Sequence, residues 1–314
     1  MPLFQYDPKL IRIIGSADRR IKSDLRRTAP FMAEKTESWM RHCYGEVALS
    51  DYFSHPEAYP MFLLPWLLEE TIVPDHDLEF QSNVVYSTLN GFHYIRLIDN
   101  LMDGDVTSEL ELLPVLAYFH SNFQSPYQRY FEFGHPFWST FASVWLETAE
   151  VTCRDGDCQQ IGRDDFVQVS AKKTGATKIP VAGVCYKHSR EDLLPLWSQF
   201  IDTFGCWNQM QNDLFDWRTD LSKNVATYFT SEAKRRKRAE EAEAEWVMRE
   251  GFDWGINELA AWSSEMRTLG RELQTKLLIA YLDNREAVIA ERSVAVAEGF
   301  AEWSKLVAVL GHLH

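Results

Sequence analysis

The sequence predicts an all-α fold, and three observations carry that reading. Apolar residues recur with helical period along most of the chain, and alternating strand patterns are scarce. Gly and Pro fall between long segments instead of punctuating the chain at short, regular intervals. The periodic segments place helices at about 28–45, 61–70, 76–103, 108–122, 136–153, 163–174, 191–218, 231–249, 253–283 and 286–310. The first two rest on period alone. The third is better marked: Val84, Val85, Leu89, Phe92, Ile95 and Leu97 keep it apolar, and Gly104 within MDGD is expected to end it just after Asp103, because glycine favours the left-handed cap conformation. Beyond 136–153, RDGDCQQIGRDD (154–165) reads as a polar turn in which Asp164 or Asp165 can cap the next helix. KIPVAGVCYK (178–187) holds Pro180 and Gly183 and is expected to kink a helix or separate two. EAKRRKRAEEAEAEW (232–246), basic then acidic, reads as a solvated helix with complementary charges, the alternative being a lid over an anion site.

Composition bounds the function. No linker or internal repeat interrupts the 314 residues, so a single domain, 1–314, is expected. With 46% hydrophobic and 13% aromatic residues, the chain can fill a core and still line a cavity with rings, which excludes a disordered protein. The formal net charge of −14 makes nucleic acid and anionic membrane surfaces poor partners, and an anionic substrate would need a local cation. The five cysteines lack zinc-type spacing and read as reduced thiols. No secretory leader and no apolar run of about 20 residues is present, so no stable membrane insertion is expected and the protein is placed in the cytoplasm.

Two constellations carry chemistry. In HYIRLIDNLMDGD (93–105), Asp99 and Asp103 are one helical turn apart, on one face, and can reach a common metal ion. Acids in so apolar a helix are expensive to bury unless paired or metal-bound. In QMQNDLFDWRTD (209–220), Asn212, Asp216 and Asp220 form a second stripe, with Gln209 on the same side. Such hard oxygen donors suit Mg²⁺, with Mn²⁺ as the other fit. An anionic leaving group also calls for cations, for which Lys173, Arg218, Lys223 and Arg96 are the candidates, with Lys172 beside Lys173. By helical position, Phe92, Trp207 and Phe215 are candidate cavity walls. The histidines show no metal-ligand spacing and default to structural roles.

LIDNLMDGD together with FGCWNQMQNDLFDWRTD resembles the two aspartate-rich motifs of the class I isoprenoid synthases, and Lys173-Thr174 between them is similar too. The likeness covers roughly residues 75–230. It implies a helical bundle around a central apolar cavity, with Asp99, Asp103, Asn212, Asp216 and Asp220 as metal ligands and catalytic residues. Gln209 joins the four candidate cations as a diphosphate ligand, and a prenyl diphosphate is the substrate. A homodimer is among the oligomeric states it allows.

The branch differs by motif. Asn100 stands where the prenyltransferase D-D-x-x-D has its second aspartate, and VTSELELL follows where that branch has an arginine pair. Gln209, Asn212, Asp213 and Asp216 follow the prenyltransferase Q-x-x-D-D-x-x-D with one substitution. Gln209, Asn212, Asp216 and Asp220 follow the squalene and phytoene synthase pattern, and the last three also align with the terpene cyclase N-x-x-x-S-x-x-x-E, with Asp for Ser and Asp for Glu. The first expectation is a terpene synthase that ionises one prenyl diphosphate and cyclises or rearranges the cation, releasing pyrophosphate. The alternatives are a trans-prenyltransferase or head-to-head coupling enzyme, and a catalytically inactive helical scaffold.

Overall fold

The computed structural model describes residues 4–45, 47–103, 107–157 and 159–311, and leaves aside the side chains of 103, 107–109, 156–157, 170–171, 301 and 303–311. Among the described residues there is no strand, so the all-α expectation holds. The helices are α1 (Pro8–Thr28), α2 (Pro30–Cys43), α3 (Leu49–Ser54), α4 (Leu63–Ile72), α5 (Leu78–Asp103), α6 (Leu116–Gln124) and α7 (Pro136–Asp157). There follow α8 (Arg163–Gln168), α9 (Lys178–Lys187), α10 (Leu194–Lys223), α11 (Tyr228–Arg236), α12 (Glu243–Trp246), α13 (Phe252–Glu272) and α14 (Lys276–Gly311). Contacts divide the chain into two compact units. The N-terminal unit is Gln5–Thr148 with Gly175–Ser198, and the C-terminal unit is Met1–Phe4, Ala149–Thr174 and Gln199–His314.

In the N-terminal unit, α1 starts where the Asp7 carboxylate accepts the Lys9 N–H at 2.7 Å and Pro8 occupies the first turn. It buries Leu10, Ile14, Ala17, Ile21 and Leu25, one stripe at helical spacing. This helix is absent from the sequence expectation, although cap and stripe are both legible. Helix α5 packs against α1 and α6. It approaches α6 closely because Gly91 has no side chain: a Cβ there would stand 2.9 Å from the Phe123 ring. The expected helix 108–122 begins instead as a 3₁₀ segment, Thr107–Val115, whose Pro114 has no N–H to continue an α ladder.

The expected break at 178–187 is a helix. Pro180 lies in the first turn of α9, where its missing N–H leaves no bond unmade, and residues Ile179 to Cys185 are buried. Gly183 serves packing: a Cβ there would meet the Tyr127 ring at 2.9 Å. The interruption comes earlier, in the 3₁₀ segment Ser170–Thr177. Glu69 of α4, fully buried, accepts from Gln81 Nε2 at 2.9 Å and bonds His188 Nε2 at 2.8 Å, tying α4 to α5 and to the end of α9.

In the C-terminal unit, α8 is capped by Asp165, whose carboxylate accepts the Gly162 N–H at 3.2 Å. The expected helix 231–249 is broken: α11 ends at Arg236, and α12 starts at Glu243. Within α11 Glu232 holds Arg235 and Arg236 at helical spacing, while Glu241, in the gap, grips Arg249 beyond α12 at 2.7 and 2.9 Å, and Lys237 reaches Glu243 at 3.7 Å. The last two helices meet at Leu273–Thr275, about ten residues before the expected boundary. Gln274 takes the left-handed conformation there (φ 55°). No helix among the described residues is long and apolar enough to cross a membrane.

Candidate active site

The first motif lies at the C-terminal end of α5, in the N-terminal unit. Phe92, Arg96, Asp99 and Asp103 are spaced four, three and four apart, so they share one face. Asp103 is the last residue of the helix, and its side chain, like Gly104, lies outside the described residues. Arg96 Nη1 stands 3.8 Å from Asp99 Oδ2, with both side chains close to half exposed. A candidate metal ligand and a candidate diphosphate cation therefore offset each other's charge in the free chain, weakly because water screens them. Phe92 is half-buried and meets Phe53 edge-on at 5.1 Å and Tyr44 in a stack at 6.4 Å.

Behind that face, His93 is completely buried between Trp39 and Phe119, with ring centroids at 5.9 and 5.1 Å. Tyr44 Oη hydrogen-bonds His93 Nε2. Burial drives the Tyr44 hydroxyl well above the ordinary phenol range and pushes the imidazole down to about 3, so the phenol donates to a neutral ring. His93 is a structural residue, in line with the sequence expectation for the histidines.

The second motif lies on α10, in the C-terminal unit. Asn212 and Asp216 are exposed and Asp220 is half-buried, one below another at successive turns. Burial raises the Asp220 carboxyl, the Asp216 charge raises it further, and Lys223 opposes both. The donors on this stripe fit Mg²⁺: they are hard oxygens, open to solvent, and two are carboxylates whose mutual repulsion a divalent cation would relieve. Among the described residues no group of three or more His, Cys, Asp or Glu already stands close enough to hold a metal. A cation here would therefore draw part of its shell from water or substrate oxygens.

One residue beside the stripe was underweighted by sequence reasoning. Asp213 is 3% exposed, and its Oδ1 accepts from Gln209 Nε2 at 2.8 Å while Oδ2 accepts the Tyr228 N–H at 3.2 Å. Burial pushes its carboxyl up to about 7, against the pull of those hydrogen bonds. Asp213 thus fastens the first turn of α11 to α10 and engages one amide N–H of Gln209. Its signal in the sequence was its place one turn after Gln209, between Met210 and Leu214, on the apolar side of the helix.

The remaining candidates are placed as follows. Arg218 is exposed and lies 5.3 Å from the Trp217 ring, and Lys223 is exposed next to Asp220. Phe215 is half-buried, meets Phe252 edge-on at 5.9 Å, and lies under the Arg292 guanidinium at 4.2 Å. Trp207 is 1% exposed and forms the floor of an open groove of about 600 Å³ between α13 and α14, with Ile256, Leu259 and Ile289. It precedes Asp216 by nine residues, on the opposite side of α10 from the oxygen-donor stripe. Lys173, in the 3₁₀ segment after α8, is ion-paired with Asp155 at the end of α7. Among the described residues, Cys43, Cys153, Cys185 and Cys206 form no disulfide.

No family model matches the chain, and no curated protein matches it. Among solved structures, the geranylgeranyl pyrophosphate synthetase from the archaeon Geoglobus acetivorans matches with a TM-score of 0.62 at 12% identity, over 93% of this chain and 100% of that one. The chain therefore shares the all-helical fold of that synthetase, the isoprenoid synthase type.

Proposed function

We propose that this chain is a Mg²⁺-dependent enzyme acting on prenyl diphosphates, with the coupling of prenyl units as its leading reaction. The observation that carries the reading is the likeness over almost the whole chain to a geranylgeranyl pyrophosphate synthetase, in a protein whose α10 exposes an oxygen-donor stripe. In this reading residues 1–314 act as one functional domain. Asp99, Asp103, Asn212, Asp216 and Asp220 hold the metal, and Lys173, Arg218, Lys223, Arg96 and Gln209 meet the diphosphate. Bound Mg²⁺ supplies Lewis-acid stabilisation of the departing diphosphate. The chain's own cations add charge stabilisation, and the rings of Phe92 and Phe215 keep water from an electron-poor allylic carbon. Asp213, buried and held by Gln209 and Tyr228 N–H, keeps the helix bearing the stripe in register with α11.

Cyclisation of a single prenyl diphosphate is the second reading. VTSELELL (106–113) supports it, because no arginine pair follows the first motif to hold a second diphosphate. Incubation with Mg²⁺ and allylic diphosphates of increasing length, with and without isopentenyl diphosphate, separates the readings. Longer diphosphates formed only with isopentenyl diphosphate support coupling by chain extension. A longer hydrocarbon or cyclopropyl product from two allylic units supports head-to-head coupling, and hydrocarbon or alcohol of unchanged length supports cyclisation. Release of neither pyrophosphate nor product removes the enzymatic reading and leaves a scaffold. Size-exclusion chromatography with light scattering tests the homodimer that the resemblance allows.

A further inference from the structure

We infer that Asp155 is a built-in competitor for the anion that Lys173 would hold. Both residues belong to the C-terminal unit, Asp155 in the last turn of α7 and Lys173 in the 3₁₀ segment Ser170–Thr177. Asp155 Oδ2 and Lys173 Nζ form an ion pair whose side chains are 21% and 32% exposed. A pair so far withdrawn from water holds more firmly than one on open surface, because the effective dielectric around it is lower. The lysine ammonium is a compact point charge with three donors, so an incoming anion must displace the carboxylate or share the ammonium with it. Sharing is opposed by repulsion between the carboxylate and the anion, and a multiply charged diphosphate feels that repulsion most. Asp155 thereby keeps Lys173 charge-compensated in the free chain and sets a threshold on the affinity for anions. An isolated monoanion gains little by displacing it, whereas a polyanion gains more. Only the identity of the anion rests on the proposed function; the pairing itself does not.

The test is calorimetric titration of the full chain with inorganic pyrophosphate, with and without Mg²⁺, using the native protein, Asp155→Asn, Lys173→Gln and the double variant. Asparagine keeps the size of the side chain and one acceptor oxygen while removing the charge, and far-ultraviolet circular dichroism with melting curves establishes that each variant is folded. Asp155→Asn is expected to bind pyrophosphate about fivefold more tightly, the scale of one such pair. Lys173→Gln is expected to bind more weakly, and the double variant to match Lys173→Gln. Binding by the native protein with no gain in Asp155→Asn, or an equal gain in the Lys173→Gln background, overturns the inference and leaves the functional reading standing. Binding gained only in Asp155→Asn supports the inference. Binding by none of the four overturns the inference together with the anion site of the proposed function.

Discussion

His93 gives the chain an acid sensitivity whose size follows from its surroundings. The ring is completely buried among aromatic side chains, with Tyr44 bonded to Nε2, so the folded state has no place for a second proton. Its pKa is depressed from 6.5 to about 3. A histidine depressed on folding contributes stability that is present above pH 6.5 and lost as the pH falls towards 3, because only the unfolded chain takes up the proton. Each pH step of one below 6.5 costs about 1.4 kcal/mol, so lowering the pH from 7 to 4.5 should remove about 2.5 kcal/mol through this residue. The assay is urea unfolding of the native chain and of His93→Gln across that range, with chelator present. The glutamine variant should be less stable at pH 7 by about 1–3 kcal/mol, through lost packing. Its stability should then fall less steeply with acid, so that the two curves converge by about 2.5 kcal/mol. Carboxylates that also titrate in this range contribute to both proteins and cancel in the difference. Parallel curves would refute the argument, since they would mean that the folded chain accommodates an imidazolium at this position.

Three further outcomes are expected. Asp99→Ala or Asn212→Ala should abolish turnover while leaving helicity and melting nearly unchanged, because both side chains reach solvent; full activity in both variants would remove the site assignment. Asp213→Ala strands the Tyr228 N–H and the Gln209 amide in a buried setting and should cost about 1–3 kcal/mol in chemical denaturation, whereas an unchanged midpoint would show that α11 is fixed by other contacts. Gly91→Leu forces side-chain atoms into the Phe123 ring and should lower stability by about 2 kcal/mol or more, read as a drop in melting temperature; equal stability would mean that α5 and α6 can separate without penalty.

Where sequence reasoning succeeded, the signal was local. The stripe of Asn212, Asp216 and Asp220 follows from spacing and the helical turn alone, and the structure has all three at the surface or half-buried on α10. Where it fell short, a local signal was outweighed by packing or misread. Pro180 and Gly183 look like breakers, yet proline at a helix start loses no bond and glycine here makes room for Tyr127. The charge run 232–246 pairs at helical spacing only in its first part, Glu232 with Arg236, because the helix stops at Arg236 and Glu241 in the gap bonds Arg249 instead. The N-terminal helix carried its own cap at Asp7 and its own stripe from Leu10 to Leu25, a legible pattern left unread.

The sequence by itself determined that the chain is helical, where its oxygen donors fall along two helices, and that its cations and acids are of the kinds that bind a metal and a polyanion. Periodicity and spacing suffice for this because a helix turns by a fixed angle per residue. Only the tertiary structure decided which of those groups face water and which are already engaged. Asp213 is withdrawn from solvent, Lys173 is paired with Asp155, and Trp207 points away from the donor stripe. The physical reason is that burial and charge compensation depend on partners distant in sequence, such as Tyr228 for Asp213, and a single helix does not specify what will pack against it.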